Sequence, residues 1–361
     1  MNIIREIKNW WWSIDKWILF STILLLLFGL MLTLSGSNKI EYKYNYPNGY
    51  LFNKQTIFVF ISLIIVLLCS MLSIKNLIFL SISTFFVFLI LSFLPLFQQE
   101  IKGASRWIKF FNFSIQPSEF LKPSFIVMSA LLLSRYKKKE DNSFLLNFSL
   151  FSLLGLILFL QPDFGMFVLF FLTWFAQLIL VGLSFKLISL IIVFGLLIFI
   201  ISFFIHDHIR FRILNYFYSD VGDNYQVSRA IESFSNGGFF GTGLGGGFFS
   251  KRLPDVHSDF IFALAGEELG FVFLCLIIFL YLVLFYRVVI SIINEKNLFV
   301  FLSASSLVII LILQCLINIS STINIIPTKG MTLPFLSYGG SSLLSCSLII
   351  GFLLALTKKI K

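Results

Sequence analysis

This sequence is short of charge. Only 12% of its 361 residues are Asp, Glu, Lys or Arg, while 58% are hydrophobic, and the mean hydropathy is +0.96. A water-soluble domain cannot hide that much apolar surface, so the solvent for most of the chain is lipid. Cysteine is scarce too. Cys69, Cys275, Cys315 and Cys346 each sit inside an apolar run, and none has a partner at metal-binding or redox spacing. They read as small apolar residues, which excludes a disulfide scaffold and a zinc site. No soluble domain, low-complexity linker or internal repeat of the transporter kind is visible. An AT-rich coding sequence would account for the 47 Phe, so no function is read from them.

What is present is a series of long apolar runs. A membrane span needs about 20 such residues, and that length picks out about ten stretches. They lie at 17–35, 55–74, 77–97, 117–134, 144–161, 164–182, 186–205, 259–286, 298–321 and 334–357. The expectation is an all-α integral membrane protein with one polytopic domain over 1–361. The start, MNIIREIKNWWWSIDKW, looks like an uncleaved first span with a belt of Trp10, Trp11, Trp12 and Trp17. An even number of spans puts both termini on one side. Arg5, Lys8, Lys16, Lys75, the RYKKK run at 135–139, Lys186, Arg287, Lys296, Lys358, Lys359 and Lys361 all fall in one set of short loops. The other loops hold nearly as many cations over about twice the length, so the positive-inside rule places both termini in the cytoplasm. The net charge of +10 is then mostly topology. No basic patch coincides with a soluble domain, which removes the main support for a nucleic-acid partner. The opposite face carries the loop 98–116 and a long loop at 206–258, between helices 7 and 8.

Unusual residues crowd that face in five groups. In GASRWIKFFNFSIQPSEFLKPSF (103–125), Pro117 suits a first helical turn, and Glu119 and Lys122 are neighbours on one face inside the fourth span. An ionisable pair at that depth either faces an interior cavity or ties two helices together. Arg106, just before it, suits an anionic ligand or a lipid headgroup. In QPDFG (161–165), Asp163 reads as the cap of the next helix. The loop NGGFFGTGLGGGFFSKRLP (236–254) is not a Walker motif, since no Gly-Lys-Ser/Thr follows and no strand precedes. It is either a re-entrant loop or a cradle for a lipid-borne phosphate, with Arg210, Arg212, Lys251 and Arg252 nearby. In LPDVHSDFIFALAGEELG (253–270), a helix beginning near Ser258 would carry Asp259 in its first turn at the membrane edge. Ala263 and Gly266 on the same face would then leave space beside the acid. Glu267 and Glu268 lie about 12–13 Å deeper and read as structural, bonded to neighbouring helices, with Lys122 a candidate partner. In NIIPTKGMTLPFLSYGGSSLL (324–344), Pro327, Gly330 and Pro334 make an irregular turn. Gly339, Gly340, Ser341 and Ser342 read as close helix packing.

These five motifs, in this order, resemble the SEDS family (shape, elongation, division, sporulation), and the resemblance spans nearly the whole chain. Lys329 in Thr-Lys-Gly is similar to the division branch rather than the elongation branch, while Ile326 stands where Leu is common. The resemblance implies a peptidoglycan glycosyltransferase of the bacterial inner membrane, acting on its extracytoplasmic face. It would polymerise lipid II beside a class B penicillin-binding protein and other division proteins. The family's essential aspartate, in His-Thr-Asp-Phe, corresponds to Asp259 in His257-Ser258-Asp259-Phe260. Its important Arg and Lys correspond to Arg106 and Lys122, with Glu119 between them. The stretch 109–113, Lys-Phe-Phe-Asn-Phe, departs from the Gly that relatives tend to have, and this alters loop flexibility.

Residue chemistry and the resemblance agree on a mechanism. A lipid diphosphate is already a good leaving group, so no nucleotide is needed. Asp259 is the expected base for the acceptor hydroxyl. Arg106, Lys122, Arg210, Arg212, Lys251 and the Gly-rich loop are expected to meet the departing diphosphate, with His257 and Lys329 as further substrate contacts. No cage of carboxylates is visible, so a divalent cation such as Mg or Mn would be held partly by substrate. A β-linked product from an α-linked donor implies inversion, for which one base suffices. The rivals are a lipid II flippase and a non-catalytic division scaffold. Crowding of the charges on one face argues against the first, and dispensability of Asp259 would mark the second.

Overall fold

The computed structural model describes residues 2–43, 45–97, 106–110, 113–138, 142–205, 210–211, 214, 216, 225–327 and 330–358. Arg212, Lys329, Lys359 and Lys361 lie outside the described residues.

The described chain is almost wholly helical. α1 (Asn2–Ser13) precedes α2 (Lys16–Lys43), α3 (Tyr50–Met71) and α4 (Ile74–Leu91), which a 3-10 turn extends. A two-stranded antiparallel hairpin, β1 (Ile108–Phe110) and β2 (Phe113–Ile115), leads into α5 (Pro117–Lys137). Then follow α6 (Ser143–Leu160), α7 (Phe164–Val181), α8 (Phe185–Ile205), α9 (Tyr225–Gly237), α10 (Ile261–Ile292), α11 (Leu298–Thr322) and α12 (Gly340–Leu356). The tryptophan belt expected at the N-terminus is part of a separate helix, α1. Lys16 Nζ lies over the rings of Trp11 and Trp12, at 5.5 and 4.2 Å.

Eight of these helices are long and apolar enough to cross a membrane: α2, α3, α4 with its extension, α6, α7, α8, α10 and α11. The other two expected spans correspond to α5 and α12. α12 has 17 residues and starts later than expected, because 334–339 form a turn in which Phe335 has φ 65°. α5 is long enough at 21 residues but carries Glu119, Lys122 and Pro123. Lipid would reject such a helix, and lipid does not touch most of it. α4, α6, α7, α11 and α12 pack around α5, and its residues from Pro117 to Ser134 are buried apart from Phe120 and Leu131. Amide and hydroxyl groups join α5 to α6 and α7. Ser129 Oγ donates to Gln177 Oε1 at 2.7 Å, Asn147 Nδ2 to Ser129 Oγ at 2.7 Å, and Trp174 Nε1 to Asn147 Oδ1 at 2.7 Å. Where no water is available, polar groups that satisfy one another in this way hold helices together.

α10 is broken. Gly270, ten residues in, has φ 80° and ψ 178°. The break frees carbonyls and N–H groups in a buried stretch of the helix, where an unmet backbone group costs several kcal/mol. The Gly-rich loop meets them. Thr242 N donates to Glu267 O and Gly243 N to Glu268 O, each at 2.9 Å, while Phe271 N donates to Gly238 O at 2.9 Å and Val272 N to Phe239 O at 3.2 Å. The approach is close enough to need glycine. At Gly241, φ is 80° and a Cβ would run into the Glu268 carbonyl. The sequence left two readings open for this loop, and its backbone at 242–243 is spent on α10.

Candidate active site

A cavity of about 1070 Å³ lies at the end of the bundle where α5, α7 and α10 begin. Its walls bring together Arg106, Glu119, Asp163, His257, Asp259 and Gly339, along with Lys54, Asp255, Gly330 and Tyr338. All five sequence motifs except the Gly-rich loop contribute.

Asp259 is half-buried and sits in a turn, two residues ahead of α10. It was expected in the first turn of the helix. The turn closes first, with Ser258 N and Asp259 N both donating to Asp255 O, at 3.1 and 3.0 Å. The space beside the acid also differs from expectation. Ala263 is buried, and Gly266 is closed over by Phe234, whose ring a Cβ there would meet at 2.5 Å. The residue that leaves room is Gly330, where a Cβ would fall 3.0 Å from Asp259 Oδ2. The 257–259 segment is stitched to 331–338. Tyr338 N donates to His257 O at 2.8 Å, Ser337 Oγ to Ser258 O at 2.5 Å, and Asn318 Nδ2 to both Asp259 O and Met331 O, at 3.0 and 2.6 Å. The irregular turn around Pro334 is thus part of the frame that holds the acid. Pro334 O accepts a hydrogen bond from Tyr281, and Gly339 lies on the cavity wall as well as in the packing.

His257 lines the same wall, its ring 5.1 Å from that of Tyr338. Burial lowers its pKa, against the opposing pull of Asp255. Its Nδ1 is buried without a hydrogen-bond partner among the described residues.

Glu119 and Lys122 form an ion pair at 2.6 Å, with Lys122 fully buried. Lys122 Nζ also donates to Gln314 Oε1 at 2.7 Å, and Gln314 Nε2 donates to Thr332 O at 3.0 Å. The lysine is therefore one layer behind the wall. It touches Glu119, which lines the cavity, rather than the cavity itself. Arg106 is on the wall, tied to Pro162 O and 3.4 Å from Asp163 Oδ1. Asp163 caps α7 through Met166 N at 3.4 Å, as expected, and also accepts from Gln116 Nε2 at 3.1 Å.

Other expectations need correction. Glu267 and Glu268 do not reach Lys122. Glu267 accepts from Asn236 Nδ2 at 2.7 Å and from the N–H groups of Phe248, Phe249 and Ser250 at 2.9, 2.9 and 2.7 Å. Glu268 accepts from Ser35 Oγ at 2.6 Å. These N–H groups of the Gly-rich loop are turned onto the protein's own carboxylate, so they do not form a phosphate cradle. Lys251 bonds to Gly245 O, and neither it nor Arg210 is on the cavity wall. For Lys251 the reason is that its loop folds onto the break in α10.

Sequence reasoning missed Lys54, Gln314, Asn318, Gly330 and Tyr338. Gln314 and Asn318 left a readable signal, two amides four residues apart inside the apolar run LVIILILQCLINIS. That spacing puts both on one helical face, and amides in a span need a polar partner. Among the described residues no three His, Cys, Asp or Glu side chains come together as metal ligands.

A multi-span helical bundle with a polar cavity at one end and a carboxylate on its wall matches a known class. The family FTSW_RODA_SPOVE, described as "Cell cycle protein", matches residues 16–361, and the chain belongs to it. Two relatives named "Probable peptidoglycan glycosyltransferase FtsW" are similar along nearly their whole length. The one from Caulobacter vibrioides is 33% identical over 97% of this chain and 90% of its own. The one from Coxiella burnetii is 35% identical over 95% and 96%. Among solved structures, a chain from "Structural coordination of polymerization and crosslinking by a peptidoglycan synthase complex" is 24% identical with TM-score 0.77, covering 95% of this chain and 97% of that one. The Thermus thermophilus rod shape determining protein RodA is 23% identical with TM-score 0.69, over 96% and 97%. Both share the fold.

Proposed function

We propose that this protein is a peptidoglycan glycosyltransferase of cell division that polymerises lipid II, with Asp259 as the base. The observation that carries this is a cavity of about 1070 Å³ at the bundle end with Asp259 and Arg106 on one continuous wall. The names of the relatives support the activity and the division role. The acceptor sugar hydroxyl would enter beside Gly330, where a Cβ would stand 3.0 Å from Asp259 Oδ2. As the oxygen attacks the donor's anomeric carbon, its proton passes to the carboxylate. The carbon–oxygen bond to the diphosphate breaks, and the lipid diphosphate leaves with the electron pair. One carboxylate suffices for this inverting displacement. Arg106 and Lys54 are the wall cations suited to the departing charge, in a cleft where low dielectric strengthens them. Lys122 acts behind them by holding Glu119 in place through their ion pair.

Among the described residues no three carboxylate, His or Cys side chains converge to hold a metal, so no step is assigned to one; Mg or Mn would arrive on the diphosphate. The cavity face is assigned to the outside of the inner membrane, on the strength of the basic residues of the opposite loops. A cross-linking class B penicillin-binding protein is the proposed partner, with other division proteins around it. The solved relative that combines polymerization and crosslinking supports the pairing.

The test is glycan length from lipid II in detergent, with purified protein and its cross-linking partner, for wild type and Asp259→Asn. Polymer from wild type and none from the variant is expected. Equal polymer from both would remove Asp259 as the base. No polymer from either would return the flippase or the scaffold.

A further inference from the structure

The mechanism leaves one buried carboxylate unused. Glu267 has no exposed surface, lies about 9 Å along α10 from its first residue, Ile261, at the helical rise, and is not on the cavity wall. Its two oxygens take four donors from the chain just upstream of the site. These are Asn236 Nδ2 and the consecutive N–H groups of Phe248, Phe249 and Ser250, all at 2.7–2.9 Å. Successive N–H groups turned onto one anion form a backbone nest, which holds a segment by charge-assisted bonds. From Ser250 the chain runs through one 3-10 turn (Ser250–Arg252) and the buried Leu253 and Val256 to Asp259. Eight residues, 251–258, therefore separate the nest from the acid. The far end of this strap is pinned by Asn318, Ser337 and Tyr338.

We infer that Glu267 is a positioning residue: its carboxylate fixes the upstream end of the 250–259 strap and so sets where Asp259 stands in the cavity. It touches no substrate. The inference rests on the glycosyl-transfer reading for its catalytic consequence, but the anchoring itself does not.

Glu267→Gln keeps the shape but replaces one acceptor oxygen with an NH2 group that faces N–H donors. Two readouts separate positioning from plain loss of stability. The first is hydrogen–deuterium exchange in lipid nanodiscs. Amides at 248–250 and 253–259 are expected to exchange faster, with protection of α5, α11 and α12 unchanged. The second is lipid II polymerisation with the cross-linking partner. A displacement of about 1 Å at a reacting group is enough for a loss of about 100-fold, so kcat is expected to fall by about that factor with KM little changed. Glu267→Asp, which restores the charge one methylene short, is expected to recover part of both. If the Gln variant does not fold, Asn236→Ala removes one donor of the four and is expected to move both readouts the same way by a smaller factor.

Unchanged exchange at 253–259 in the variant that folds overturns the proposal. So does faster exchange there with kcat unaltered. If wild type itself makes no polymer, the glycosyl-transfer reading fails, and the exchange comparison alone decides whether Glu267 holds the strap.

Discussion

α5 and α8 are both 21 residues long, and they are built inside out relative to each other. α5 carries a glutamate, two lysines, an arginine and two prolines and is buried along most of its length. α8 is apolar almost throughout, yet only Ile191 and Ser202 are buried. In water the more apolar helix would be the inner one. In lipid the apolar helix loses nothing by facing the solvent, while the polar one must be enclosed by partners that satisfy it. Hydrophobicity here marks the periphery, and polarity inside a span marks the centre and the site.

The comparison can be broken most severely at Lys122. Lys122→Met leaves Glu119 buried beside an apolar chain, and removing one partner of a buried pair costs about 3–5 kcal/mol. Denaturation in detergent, scored against Glu119→Gln/Lys122→Met, checks it. The double variant is expected to be the more stable of the two. The reverse experiment places a charge on the outer helix. Leu196 is 58% exposed near the middle of α8. Leu196→Asp is expected to cost about 2.5–3.5 kcal/mol of insertion free energy, whereas Leu196→Val stays within about 0.5 kcal/mol. A glycosylation-based insertion assay separates them. If both are neutral, α8 does not face lipid.

The smallest effect concerns the cavity wall. Burial lowers the pKa of His257, so the folded state favours the neutral ring. Its contribution to stability is then complete above the unfolded value of about 6.5. It is lost as pH falls from there toward the lower folded pKa, because the unfolded chain binds the proton first. Thermal melts from pH 7.5 to 5 are expected to slope downward with acid in wild type and less so in His257→Gln.

The spans were legible because a run of about 20 apolar residues has few other uses. α2, α3, α6, α7 and α11 lie close to where they were expected. α1 was missed because an amphipathic helix lying outside a span has no such length signal. Asp259, Glu119 and Arg106 were legible as polar residues clustered near one membrane face. Gly330 was read as part of a turn, since nothing local says that a glycine will sit opposite an aspartate 71 positions away in the sequence. Lys251 was placed near the diphosphate on its charge, and the Gly-rich loop on the N–H groups such a loop can present. The partner that claimed the loop, Glu267, lies three residues ahead of the break at Gly270, which the pattern of α10 does not announce.

Composition by itself determined that this chain dissolves in lipid, how many long helices to look for, and which residues were too polar to face lipid. It could do so because transfer free energy is additive along a segment. Which polar groups meet was decided only by the tertiary structure. Lys122 found Glu119 and Gln314 rather than the deep glutamates, and the Gly-rich loop turned inward onto Glu267. Hydrogen bonds and ion pairs depend on distances of a few tenths of an ångström between segments far apart in sequence, and those distances exist only once the helices have packed.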